Sequence, residues 1–303
     1  MASFGLKVIR GLFGAAERIA PRLSGRAAFE LFCRTPSARR LTEGERRAIG
    51  RAAQFMTEAR HHRLKTATGC VVAHEFRPER GREGAGTVLV VHGWRSRTEY
   101  MRALIEGFRS AGHRVVSLDF PGHGQSHGRR LNMVNAVDAL RVAGEWFGPF
   151  AAVVGHSFGG AVAANAIAGS VKNIQPLAAD SLVLIAAPSS LPAIFDDFSR
   201  LLNVGPRSQL AMADCVERLS GRPLREFTGD RQLAHAPVPT LVIHAPDDRE
   251  VSRDHATRYA NAGSHVKLYW ADGLGHRRIL ADKRVVERAV GFVAEHREPA
   301  LLH

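Results

Sequence analysis

The sequence predicts an α/β protein: a mostly parallel, doubly wound sheet of about eight strands with a small helical lid and an N-terminal helical extension. Three observations predict it. From about residue 64 onward, short apolar runs alternate with segments of helical period. Runs such as Thr87 to Val91 have no polar face, which marks strands covered on both sides, as in parallel sheets. The first sixty or so residues carry helical patterns and no strand pattern. A chain of 303 residues suits one such domain of about 220–250 residues plus an appendage. We therefore divide the chain into a basic helical extension, residues 1–63, and an α/β domain, residues 64–303, with a lid inserted at about 189–236.

The elements follow in order. Ile9, Leu12, Phe13, Ala16, Ile19 and Ala20 recur at helical spacing and need a place of burial. Pro21 ends that segment. A second pattern, Ala27, Ala28, Leu31 and Phe32, runs to Thr35-Pro36. Thr42 as N-cap, with Glu45 at the capping-box position, starts a third helix that runs to about Ala59. Cys70 to Phe76 reads as an antiparallel strand, and Arg77 to Gly86 as a charged turn. Thr87 to Val91, Leu182 to Ile185 and Thr240 to Ile243 read as buried strands, and Val115 to Leu118, Ala151 to Val154 and Val266 to Trp270 as further strands. Helices lie at Glu99 to Ala111, Asn132 to Phe147, Gly159 to Ala168 and Lys283 to His296. Between Pro188 and Pro237 the rhythm breaks into two helical stretches, Leu191–Leu202 and Ser208–Leu219. An insertion there lies above the carboxyl ends of the strands, where open sheets bind ligands, and reads as a lid.

Composition narrows the setting. Hydrophobic residues make up 45% and charged residues 23%, as in ordinary globular proteins. No run approaches the ~18 apolar residues of a membrane span, and Gly11 to Ala16 is short for a signal-peptide core. Cys33, Cys70 and Cys215 are odd in number and lack zinc or disulfide spacing, which points to a reduced, cytoplasmic setting. Residues 1–65 hold 14 Lys/Arg and 5 Asp/Glu, so +9 of the chain's +13 sits there. The expected reading is a solvated basic arm docked on the protein itself, with a weak membrane-surface contact as the alternative and nucleic acid not expected. Glu17 and Glu30 interrupt the basic face, and the apolar face is rich in Ala and Gly, which argues against membrane.

The chemistry concentrates at three loops. Val154-Gly155-His156-Ser157-Phe158-Gly159-Gly160 lies between a strand and a helix. G-x-S-x-G in that setting is a nucleophile elbow: small residues permit a tight turn that lifts the Ser157 hydroxyl clear of the sheet. A serine hydroxyl needs a base. His276, flanked by Gly275 on the loop between the last strand and the last helix, is the candidate. An acid must orient it, and the loop Ala245-Pro246-Asp247-Asp248 offers two adjacent carboxylates, with Asp272 a weaker competitor on the histidine's own loop. The anion formed on attack needs two backbone donors, assigned to the N–H groups of Phe158 and Trp94. His92 and His156 are expected to make contacts behind the site, and His123 to sit in a turn.

Together these motifs resemble the α/β-hydrolase superfamily over roughly residues 64–297. His92-Gly93-Trp94 is similar to its oxyanion loop, and Asp119-Phe120-Pro121-Gly122-His123-Gly124-Gln125-Ser126 to its D-x-x-G-x-G-x-S turn. The chain order Ser, Asp, His agrees. The family's acid loop usually reads G-x-x-D; with Ala245 at the glycine position, the resemblance selects Asp248 as the acid. Ser157 sets aside the haloalkane dehalogenase and epoxide hydrolase branches, which carry aspartate at the elbow. Ala245 and the pair Arg277-Arg278 depart from the pattern. The resemblance implies a carboxylic-ester hydrolase acting on a small-molecule ester through Ser157, His276 and Asp248, with no metal or organic cofactor. A thioesterase or a lipid hydrolase would use the same residues, and a non-catalytic binder on this scaffold is the remaining alternative.

Overall fold

The computed structural model describes residues 4–35 and 41–296; Pro36 and the two chain ends lie outside them. Eight strands form one sheet: β1 (Arg60–Thr66), β2 (Gly69–Phe76), β3 (Thr87–Val91), β4 (Arg114–Asp119), β5 (Ala152–His156), β6 (Leu182–Ile185), β7 (Thr240–His244) and β8 (Val266–Trp270). Their order is β1-β2-β4-β3-β5-β6-β7-β8. β1 and β2 run antiparallel to their neighbours, and β3 to β8 are parallel. The helices are α1 (Phe4–Ile19), α2 (Pro21–Cys33), α3 (Glu43–Met56), α4 (Arg102–Ser110), α5 (Met133–Phe147), α6 (Phe158–Ile167), α7 (Leu191–Leu202), α8 (Pro206–Ser220), α9 (Gly229–His235), α10 (Asp254–Ala260), α11 (Gly275–Arg278) and α12 (Lys283–Glu295). Among the described residues no helix is long and apolar enough to cross a membrane.

The all-apolar strands bury both faces. Leu89, Val91, Val153, Leu184 and Val242 point to the side covered by α5 and α6. Their alternates Val88, Val90, Val154, Val183 and Ile243 point to the side covered by α4 and α12. Two cores on one sheet fix the strands from both sides, so the loops at their carboxyl ends stand on a rigid base.

The helix starts follow local chemistry. Thr42 Oγ1 accepts from the Glu45 N–H, and the Glu45 carboxylate accepts from the Thr42 N–H, closing the expected capping box. Pro21 opens α2 at its first turn rather than only ending α1.

Three features differ from the sequence reading. The sequence pattern does not announce β1, because Arg60-His61-His62-Arg63-Leu64-Lys65-Thr66 buries only Leu64 and Thr66; a polar edge strand of this kind also resists edge-to-edge pairing. The insertion is not all lid: α7 and α8 cover the site, whereas α9 packs on the flank of the sheet, with Gln232 donating to Asn165 Oδ1 and Gly229 against Tyr259. The apolar positions of α1 are not all buried. Phe13 packs inward, but Leu12 and Ile19 are 66% and 84% exposed, for a reason that lies in α1's polar residues.

Candidate active site

The elbow forms where β5 turns into α6. Ser157 sits at φ 54°, ψ −127°, a conformation that L-residues rarely hold, at the N-terminus of α6. Glycines allow the crossing. A Cβ on Gly155 would lie 2.5 Å from Gly160 Cα, and one on Gly159 would lie 2.4 Å from the His92 carbonyl oxygen.

His276 stands on α11, a single turn, and its Nε2 lies 3.0 Å from Ser157 Oγ. Its Nδ1 lies 2.7 Å from Asp248 Oδ2. A carboxylate only accepts, so Nδ1 carries the proton and Nε2 is free to accept from the serine hydroxyl. The Asp248 side chain is fully buried. Burial pushes its carboxyl pKa up, but hydrogen bonds from His276 and from the N–H groups of Val251 and Glu250 outweigh burial and hold it below the usual carboxylate range.

The adjacent carboxylate does something else. Asp247 is exposed, and its Oδ1 accepts from the N–H groups of Gly273 (3.1 Å) and Gly275 (3.3 Å), pinning the histidine loop to the acid loop. Asp272 is exposed and makes no bond to His276. Ala245 replaces the usual glycine without strain, since its backbone is not in the left-handed region and its side chain is buried in the core. Arg277 pairs with Glu250, and Arg278 donates to the carbonyls of Gly273 and Leu274, so both arginines brace the same loops.

The loop after β3, which the sequence reading makes the oxyanion loop, is held as firmly. Gly93 is pressed against the elbow, where a Cβ would lie 2.8 Å from Ser157 Cβ. Asp119 accepts from the N–H and hydroxyl of Thr98 and from the Gln125 N–H, joining this loop to the turn after β4. Among the described residues neither the Trp94 N–H nor the Phe158 N–H makes a hydrogen bond. The two side chains meet edge to face with ring centroids 5.8 Å apart.

The histidines carry roles that their motifs alone do not reveal. His156 Nε2 donates to the His276 carbonyl at 2.9 Å, which fixes the turn that bears the imidazole. Burial, then the neighbouring His276, drives the His156 pKa down to about 3, so it stays neutral. His123 does sit in a turn, but its Nε2 also accepts from the Arg95 N–H at 3.0 Å and so holds the loop after β3. Burial, then nearby His92, lowers its pKa to about 4. His92 donates to the Gly93 carbonyl and accepts from the Phe120 N–H.

Ser157, Phe158 and Trp94 open into a cavity of about 740 Å³. Its roof is apolar: Phe195, Phe198 and Val216 from the lid, Phe227 beyond it, and Phe29 and Phe32 from α2. The contribution of α2 is absent from the sequence reading, because no local pattern says which far segment a helix will cover.

Residues 88–288, more than half of the chain, match the profile of the "Alpha/beta hydrolase family". The chain belongs to that family. Among curated proteins none matches in sequence. Solved structures of similar fold include the naproxen esterase (carboxylesterase NP) of Bacillus subtilis, with 16% identity, TM-score 0.58, and 84% of this chain and 99% of that one covered. A membrane phospholipase A described as a bacterial virulence factor aligns with 15% identity and TM-score 0.60, covering 84% of this chain and 91% of that one. The proline iminopeptidase of Mycobacterium smegmatis aligns with 16% identity and TM-score 0.59, covering 78% and 98%. An esterase, a phospholipase and a peptidase share this fold, so the fold alone does not name a substrate.

Proposed function

We infer that this family member is a carboxylic-ester hydrolase that works through an acyl-enzyme on Ser157. The observation that carries the reading is the row Asp248–His276–Ser157, with contacts of 2.7 and 3.0 Å, at the floor of an apolar cavity. In this scheme Ser157 Oγ attacks the ester carbonyl carbon while His276 Nε2 takes its proton. The unpaired N–H groups of Trp94 and Phe158 receive the oxyanion. The carbon–oxygen bond to the alcohol breaks, and His276 returns the proton to the leaving oxygen. Water then repeats the sequence on the acyl-enzyme, releasing the acid and restoring Ser157. Nucleophile, base and anion stabiliser are all protein groups, so the scheme calls on no cofactor. The apolar walls favour an ester with a hydrocarbon acyl chain, and the esterase and phospholipase among the structural neighbours agree in class.

A fluorophosphonate probe tests this reading. It labels the wild-type chain and spares Ser157→Ala, and that variant keeps its fold while losing on the order of 10⁴–10⁶ in turnover. Labelling that persists in Ser157→Ala rules out this nucleophile. A matched series of p-nitrophenyl esters and acyl-thioesters separates esterase from thioesterase, and turnover of neither returns the chain to a binding role.

A further inference from the structure

We propose that α1 and the start of α2 form a docking surface for an anionic lipid bilayer, which presents the cavity mouth to lipid. α1 carries an exposed apolar row. At ~100° per residue, Phe4, Val8, Leu12, Ala15 and Ile19 fall within about 80° of arc. All five are exposed, Phe4 at 83%, Leu12 at 66% and Ile19 at 84%. The opposite side holds α1 to the protein through Leu6 and Phe13, which pack on the core, and through two polar side chains. Arg10 donates to the carbonyls of Arg200 and Leu201 at the end of α7. Glu17 accepts from the N–H groups of Arg207 and Ser208 at the start of α8. With Arg10 and Glu17 sharing the inward face with Leu6 and Phe13, a second apolar row is left facing out, which a helix that only serves the core does not carry.

A second exposed apolar row reaches the site. On α2, Leu23, Ala27 and Leu31 recur at four-residue intervals; Leu23 is 66% exposed, and Leu31, still 38% exposed, lines the cavity. Leu201, whose carbonyl holds Arg10, also lines the cavity and is 54% exposed. Two of these exposed apolar residues, Leu31 and Leu201, thus stand at the cavity itself.

Charge chooses the occupant. Lys7, Arg18, Arg22 and Arg26 are exposed and form no ion pair among the described residues. The acidic residues that interrupt the basic arm in sequence are spent: Glu17 on α8, and Glu30 on Arg130 at 2.7 Å. An apolar row flanked by free cations suits an anionic interface, whereas two copies meeting through this face would bring like charges together. The inference rests on the ester-hydrolase reading only for what the surface delivers, an amphiphilic ester; binding itself needs no turnover.

Ser157→Ala protein, which leaves lipid intact, is sedimented with vesicles of phosphatidylglycerol mixed with phosphatidylcholine and with vesicles of phosphatidylcholine alone. It goes down with the anionic vesicles, more weakly with the neutral ones, and less as salt rises. Adding Leu12→Ser with Ile19→Ser lowers partitioning at least ~10-fold, and Lys7→Gln with Arg18→Gln lowers it about five-fold per charge. In an otherwise wild-type chain the Leu12→Ser/Ile19→Ser pair leaves p-nitrophenyl butyrate turnover unchanged, which shows an intact fold and site. Failure to bind anionic vesicles, or binding that survives both pairs of substitutions, overturns the proposal. So does a dimer in vesicle-free buffer that the Leu12→Ser/Ile19→Ser pair dissociates, which makes a second copy the occupant. Absence of turnover in the wild-type chain removes the esterase reading and leaves the vesicle result standing on its own.

Discussion

The floor and the roof of the cavity are built on opposite principles. The floor is polar and over-determined: Asp248 accepts three hydrogen bonds, Asp247 two, and His156 and His123 each hold a loop by one more. The roof is a layer of rings, with Phe32 at 4.7 Å from Phe195 and 5.2 Å from Phe198. Directional bonds fix atoms to within tenths of an ångström, as a reacting centre needs. Apolar contacts fix only shape and tolerate change. In the proposed scheme the floor therefore governs rate, and the roof governs which acyl chain is held.

The largest effects break the floor. Asp248→Asn costs on the order of 10⁴ in turnover, because the imidazole loses its orienting acceptor. Asp247→Asn costs about tenfold, since it loosens two N–H contacts of the histidine loop but leaves the row intact. Steady-state turnover of an ester by both variants checks the order, and the reverse order moves the acid to Asp247.

A smaller effect belongs to the roof. Phe195→Ala removes a ring from the cavity wall and lowers kcat/KM for long acyl esters about ten-fold, while short esters change little. A loss shared equally by short and long chains would mean that the roof also positions the reacting carbonyl.

The last effect falls on stability rather than on turnover, and it concerns acid. An unfolded histidine takes a proton near 6.5, whereas His156 and His123 in the fold take one only near about 3 and about 4. Between those values the unfolded chain binds more protons, so stability falls as pH falls from about 6.5 toward about 4, by up to ~1.4 kcal/mol per pH unit for each histidine. Urea midpoints measured from neutral to about pH 5 show this slope. It is shallower in His123→Gln and unchanged in Phe195→Ala.

The same contrast explains what the sequence made legible. The strands show because continuous β-branched runs such as Thr87–Val91 have one physical solution. The turns that bear Ser157, His276 and Gly93 show because a tight turn needs its glycines nearby in the chain. Asp248 was separable from Asp247 only by its resemblance to the family's loop, as adjacent carboxylates look alike until their directions are known. The roof is hidden for a different reason. Periodicity says which residues of α1 and α2 share a face but not what that face meets. β1 is hidden because it is an edge strand with one buried apolar side chain.

Glu17 has a consequence for any shortened form of this chain. Gly205, at the N-cap of α8, has no side chain to cap it, and a Cβ there would lie 2.3 Å from Glu17 Cδ. The lid helix thus takes its capping group from a residue some 190 positions earlier, at a worth of about 1 kcal/mol. A protein begun at residue 41 loses that cap together with Phe29 and Phe32. Its weaker activity would report an uncapped lid over a half-open cavity, and would say nothing about what α1 touches outside the molecule.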